Sequence, residues 1–303
     1  MSPATPVIKI ENLSKRFGAT QALRNVSMEI NSSEVLALLG ANGAGKSTII
    51  KILAGIYSAD SGSLTSASGG SINEVNFAFI HQDLGLVEWM TVGESIALGS
   101  EYPRAGKLIN WSGVRKMATE ALANVAPHIN VNDTISNLTR ADRSLVAIAR
   151  ALYAKSDVLI LDEPTSALDP LVQHEFSELM EEAKQRGTAV LLSSHVLSEV
   201  EHLADRVVII NAGRLLRVSD MESLQHRTVQ AMVLTFVSPI PTQVFLPVPG
   251  VRDAQSRGTH VTLNVVGPVT EVLRTAVAHG VIRIQTSEPS LDDIFYSIVN
   301  GDV

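Results

Sequence analysis

The chain has 303 residues, is 45% hydrophobic and 18% charged, and carries a formal net charge of -7 with no cysteine. A disulfide framework, a thiol nucleophile and a thiolate metal site are thereby excluded, and the acidic balance disfavours a nucleic-acid partner. No apolar run approaches the roughly 18 residues that span a bilayer, so no direct membrane span is expected, and Met1–Val7 lacks the basic stretch of a signal peptide.

In chain order, Val7–Ile10 and Val26–Ile30 read as strands. Val35–Leu39 is a continuous apolar run, as expected of a strand buried on both faces, and Lys46–Ala54 follows as a helix. The Ser/Gly-rich stretch Ser61–Ser71 reads as a turn or mobile loop. Helices are expected over Val114–Val125, Leu145–Ala154 and Glu175–Arg186, and buried strands over Val158–Leu161, Ala189–Ser193 and Val207–Ile210. Strands alternating with helices imply an α/β core with parallel strands.

Composition shifts after about Leu224. Thr228–Phe236 reads as an edge strand. Pro239, Pro241, Pro247 and Pro249 then impose an irregular connection. Strands at Val251–Ala254, His260–Val266 and Val281–Gln285, with helices at Val269–Ala278 and Ser290–Val299, make a small α+β unit. The expected division is a nucleotide-binding domain over 1–225 and an accessory domain over 226–303.

Gly40-Ala-Asn42-Gly43-Ala44-Gly45-Lys46-Ser47 fits G-x-x-x-x-G-K-[ST] between a buried strand and a helix, the context this motif requires. Glycines let successive backbone N–H groups curl around phosphates, and the helix N-terminus adds partial positive charge. Lys46 is expected on the β/γ-phosphates, the Ser47 hydroxyl on Mg²⁺, and Thr48 at the α-phosphate. Asp162 and Glu163 end the next motif strand. Asp162 is placed to hold Mg²⁺ and Glu163 to polarise an attacking water. His195 ends the following apolar strand, where a γ-phosphate contact outweighs a merely satisfied polar group.

These residues, with Gln82 and Ser166-Ala-Leu-Asp169, resemble ABC ATPase subunits in order and spacing over roughly 7–220. The resemblance implies a RecA-like P-loop core with an inserted helical subdomain at about 90–155, binding ATP and Mg²⁺ and hydrolysing the ATP. It implies that Gln82 senses Mg²⁺ and a transmembrane permease, that Phe17 stacks on adenine, and that Asp169 lies in a loop crossing a dimer interface. Two such cassettes, identical or related, sandwich two ATP molecules. The subunit is then expected in the cytoplasm, peripheral to the membrane through its permease.

The family's Leu-Ser-Gly-Gly-Gln signature corresponds here to Leu138-Thr139-Arg140-Ala141-Asp142. Thr139 keeps a hydroxyl for the opposing γ-phosphate. Ala141 keeps an N–H but adds a Cβ where glycine permits close approach. Slow hydrolysis with near-normal ATP affinity is expected, and Ala141→Gly is expected to raise turnover.

Before about Pro164 the chain resembles sugar-import ATPases, in Ile80–Leu86, Met90–Gly99 and Leu138–Leu152. After it, Leu168–Leu171, Ser193–Glu201 and Glu288–Phe295 resemble ATPases of ABC-2-type exporters. A single phosphate loop and the C-terminal appendage favour export, with sugar import as the alternative. A soluble ABC protein acting on ribosomes or DNA is disfavoured by the absence of a charged linker, a coiled-coil insert and a basic balance. A nucleotide-binding regulator without hydrolysis is disfavoured by Glu163 and His195.

Overall fold

The computed structural model describes residues 5–81, 83–164, 170–194, 196–226, 229–287, and Leu291, Ile294, Phe295 and Ile298. The chain divides into two compact units, Met1–Val218 and Ser219–Val303.

The first unit opens with two long strands, β1 (Pro6–Phe17) and β2 (Thr20–Asn31), paired antiparallel. Alternation was legible only in the first half of β1 and the second half of β2. Register shifts after Ile10 and Leu13 break the period, and Asn12 and Asn25 take left-handed backbones, φ 52° and 50°, which asparagine tolerates better than most residues. β3 (Val35–Leu39) and α1 (Lys46–Leu53) follow. The Ser/Gly-rich stretch is not a mobile loop throughout: Ser61–Ser66 forms β4 and pairs with β1. Ladder hydrogen bonds to a neighbouring strand override its turn-like composition. β5 (Phe77–Ile80) leads to α2 (Val92–Leu98), a short hairpin of β6 (Arg104–Ala105) and β7 (Leu108–Ile109), α3 (Trp111–Leu122) and α4 (Arg140–Tyr153). α2, α3 and α4 pack on one another as the inserted helical segment.

The chain returns through β8 (Val158–Asp162), α5 (Pro170–Gln185), β9 (Ala189–Ser193), α6 (Leu197–Leu203), β10 (Arg206–Asn211) and β11 (Arg214–Asp220). A six-stranded sheet runs β11-β10-β3-β9-β8-β5, beside a three-stranded sheet β2-β1-β4. β10, β3, β9, β8 and β5 are parallel neighbours. β3 and β9 are buried along their whole length, and one apolar cluster joins the two sheets across α1. The ends of β3 and β8 thus open side by side with β9 between them.

The second unit contains α7 (Met221–His226), β12 (Val229–Phe236), β13 (Val251–Arg257), β14 (His260–Val266), α8 (Thr270–Ala278) and β15 (Val281–Ser287). Its sheet order is β13-β14-β12-β15. β12 is therefore interior rather than the expected edge strand; β15, pairing from further along the chain, covers its second side. This unit has its own apolar cluster around Leu234, Phe236, Phe245 and Leu263. The helix expected over Ser290–Val299 lies largely outside the described residues. Among the described residues no helix is long and apolar enough to cross a membrane.

Candidate nucleotide site

β3 ends at Leu39 and the loop 40–45 turns directly into α1. Two glycines are forced. A Cβ at Gly40 would collide with the Ile210 carbonyl oxygen, and Gly45, at φ +115°, would bring one within 2.8 Å of the Ala22 carbonyl. Gly43 is also left-handed, φ 78°. The loop closes on itself by an Ala44 N–H bond to the Ala41 carbonyl at 3.0 Å. Gly43, Gly45, Lys46 and Ser47 direct N–H groups to no partner among the described residues, which is the anion cradle of a helix N-terminus.

Lys46 is buried, 7% exposed, and folds back on its own loop: Nζ donates to the Gly40 carbonyl at 2.6 Å and the Ala41 carbonyl at 3.4 Å. Burial pulls its pKa below the ordinary lysine value, against the opposing pull of the Glu163 and Asp162 carboxylates. Asp162 is pushed above the ordinary aspartate value, chiefly by burial, with Glu163 repelling its charge and Lys46 opposing both. Glu163 takes a left-handed backbone, φ 54°, pinned by its N–H to the Ser193 carbonyl at 2.9 Å. A non-glycine residue held there costs on the order of 1 kcal/mol, and such strain concentrates where a side chain must be aimed.

A cavity of about 660 Å³ brings Asn42–Thr48 together with Asp162 and Glu163. The sequence pattern did not signal its remaining wall: Thr20, Gln21, Ala22 and Arg24 from the start of β2, and Ala212 after β10. These come from a separate antiparallel sheet and a turn, so no spacing motif links them to the phosphate loop. Phe17 is 41% exposed, edge-on to Tyr57 with centroids 5.1 Å apart. Its register partner Thr20 lines the cavity.

The Mg²⁺ assignment fits this arrangement. Ser47 is exposed in the cavity, and two mutually repelling carboxylates face it. Among the described residues no cluster of three His, Cys, Asp or Glu could hold a metal. Mg²⁺ does not need one, because it keeps waters and binds through one or two carboxylates plus substrate phosphates.

In the signature stretch, Thr139 is the N-cap of α4 and Ala141 sits in its first turn. Ala141 is thus in ordinary helical backbone. Asp142 also accepts from His128, Nε2 to Oδ1 at 2.9 Å. A second cleft of about 470 Å³ is lined by Arg140, Arg143 and Ser144 of this helix, by Asp83, Leu84, Leu86 and Glu88, and by Glu163. Gln82, His195 and Asp169 lie outside the described residues.

Residues 23–166 match the protein family described as ABC transporter, and residues 134–201 match a second, described as AAA domain, putative AbiEii toxin, Type IV TA system. A "Ribose import ATP-binding protein RbsA" of Caldanaerobacter subterraneus subsp. tengcongensis is 32% identical over 237 residues, 76% of this chain and 48% of the relative. A "Putative ribose/galactose/methyl galactoside import ATP-binding protein" of Pseudomonas fluorescens is 35% identical over 243 residues, 77% and 47%. A solved "Structure of ATP binding subunit of ABC transporter" superposes with a TM-score of 0.63 at 27% identity, covering 72% of this chain and 92% of that one. The chain carries an ABC transporter ATP-binding domain. It spans about half the length of the curated relatives it matches. Within this domain the phosphate loop, Asp162 and Glu163 converge on one cavity, and Glu163 shares the lining of the second cleft with Arg140, Arg143 and Ser144 of α4.

Proposed function

We propose that this chain is the ATP-hydrolysing subunit of an ABC importer for a sugar of the ribose/galactose class, docked on a separate permease at the cytoplasmic face of the membrane. The observation that carries the ATPase reading is the convergence of Lys46, Ser47, Asp162 and Glu163 on the 660 Å³ cavity. On binding, the free N–H groups of the loop and the helix N-terminus take the phosphates, and Lys46 exchanges the Gly40 carbonyl for a phosphate oxygen. Ser47 and Asp162 would hold Mg²⁺, which would supply charge neutralisation at the transferred phosphoryl group. Glu163 orients the attacking water and accepts its proton. A second cassette completes each site with its own Thr139 helix.

The exporter expectation rested on the single loop and the C-terminal appendage. The import names of the relatives support the alternative instead, so export is not retained. The test is reconstitution with the co-purified permease in vesicles, with ATP on the cassette side and labelled ribose or galactose on the other. Import predicts accumulation on the ATP side. Movement of solute away from it, or none of either sugar, defeats this reading. For residues 226–303 we propose an accessory domain that stabilises the cassette dimer.

A further inference from the structure

α4 carries two arginines, Arg143 and Arg150, seven residues apart and so on nearly one face of the helix. Each grips backbone outside the helix. Arg143 donates from Nε to the Leu138 carbonyl at 3.2 Å, from Nη2 to the Ser136 carbonyl at 3.0 Å, and from Nη1 to Glu88 Oε1 at 3.4 Å. It thereby holds the segment that enters the signature. Arg150 donates from Nη1 to the Gly85 carbonyl at 2.9 Å and from Nη2 to the Leu84 carbonyl at 2.8 Å.

The two carbonyls gripped by Arg150 are consecutive and belong to left-handed residues, Leu84 at φ 62° and Gly85 at φ 54°. Gly85 takes that conformation readily, but Leu84 takes it at a cost; a planar fork that donates to both carbonyls helps to hold it. The stem of Arg150 is confined as well. It runs so close to Gly99, the C-cap of α2, that a Cβ there would lie 2.6 Å from its Cγ and 3.0 Å from its Cδ. Burial lowers the guanidinium pKa, the mark of a charge removed from bulk water. Leu84, with Asp83, Leu86 and Glu88 of the same loop, lines the cleft that Glu163 and Pro164 also line.

We propose that Arg150 is a positioning residue for ATP hydrolysis: by holding the Leu84 and Gly85 carbonyls it fixes the 83–88 loop to the signature helix, so that the cleft wall beside Glu163 and the Thr139 helix start move as one body. This rests on the reading of the chain as an ABC ATPase. Arg150 is not among the residues lining the phosphate cavity, so its loss acts on turnover and not on nucleotide affinity.

The experiment compares Arg150→Ala, Arg150→Lys, Gly99→Ala and the double variant Arg150→Ala/Gly99→Ala in the full chain. It reads kcat and KM for ATP, the Kd of a fluorescent ATP analogue, and the thermal melt. Arg150→Ala should lose about tenfold to a hundredfold in kcat, the scale of a misplacement near 1 Å, with Kd unchanged. Arg150→Lys should recover part of the loss, since one ammonium reaches one carbonyl but not the fork. Gly99→Ala removes no hydrogen-bonding group but displaces the stem, and should lower kcat in the same direction. The double variant should be no slower than Arg150→Ala, because the added methyl then meets no stem. Parental kcat in folded Gly99→Ala, or losses that multiply in the double variant, overturn the proposal. Should Arg150→Ala fail to fold, Gly99→Ala and Arg150→Lys still decide it. A parent that does not hydrolyse ATP overturns the ATPase reading and this proposal with it. Normal parental hydrolysis with unaltered Arg150→Ala overturns the proposal alone.

Discussion

Thr139 and Asp142 exchange two hydrogen bonds: the Asp142 backbone N–H donates to Thr139 Oγ1 at 3.1 Å, and Thr139 Oγ1 donates to Asp142 Oδ2 at 2.7 Å. The hydroxyl assigned to an opposing γ-phosphate is thus already engaged as both acceptor and donor. It is engaged by a carboxylate at a helix N-terminus, where an anion is favourable for the helix by about 0.3–1 kcal/mol but repels an incoming phosphate. Asp142→Gln lengthens the side chain by one methylene, which draws the acceptor away from the Thr139 proton, and removes the charge. It should raise ATP turnover at saturating ATP and lower the melting temperature slightly. Ala141→Gly should not raise turnover, because Ala141 already lies in α4, and glycine in a helix costs up to about 1 kcal/mol. Turnover of both variants beside the parent checks this. A gain in Ala141→Gly without one in Asp142→Gln would return the limitation to the Cβ.

Glu163→Gln should preserve ATP binding, since Lys46, Ser47 and Asp162 are untouched. It should slow hydrolysis by about 10²–10⁴, the usual loss for a general acid–base group. ATP should then hold the variant as a dimer, visible as a shift in size-exclusion elution that needs ATP. Parental turnover would remove Glu163 from the mechanism.

The parts of this site that were legible in sequence are those compressed into one local segment. Val35–Leu39 and Ala189–Ser193 appear with the expected bounds because uninterrupted apolar runs leave a buried parallel strand few alternatives. Lys46, Ser47, Asp162 and Glu163, which line one cavity, could be singled out because motif and strand end coincide. Ser61–Ser66 was not, because its strand is decided by β1, a partner distant in sequence. Arg150 belongs to no motif that sequence singles out. Its meaning lies in Leu84, Gly85 and Gly99, which no periodicity joins to it.

Truncation after residue 226 should leave a folded core that binds ATP. The large cluster of buried residues runs from Ile8 to Ile210, the second unit packs around its own Leu234 and Phe236, and the lining of the phosphate cavity ends at Ala212. The check is a single cooperative melt that rises with ATP and Mg²⁺. Insoluble protein would mean that the second unit covers an apolar face the first cannot expose.

Lys46 gives the site a pH dependence with a definite sign. Burial lowers its pKa in the free chain, whereas bound phosphates favour the charged ammonium and raise it again. Binding ATP therefore takes up a proton in the window between the two values. Affinity should be flat below the free-state pKa, fall by up to about tenfold per pH unit as pH rises through it, and flatten above the bound-state pKa. Stability of the ATP-free chain moves the other way. A lysine whose folded pKa lies below its unfolded one penalises the fold while charged, and that penalty is relieved as pH rises from the folded value to the unfolded one. The ATP-induced rise in melting temperature should accordingly shrink on the alkaline side while the ATP-free chain loses no stability through Lys46. Calorimetric titration with ATP in two buffers of different ionisation enthalpy reads the proton uptake directly. Lys46→Ala should bind more weakly and abolish the Lys46 share of that uptake. Equal uptake in parent and variant would mean that Lys46 does not exchange its grip on Gly40 for a phosphate.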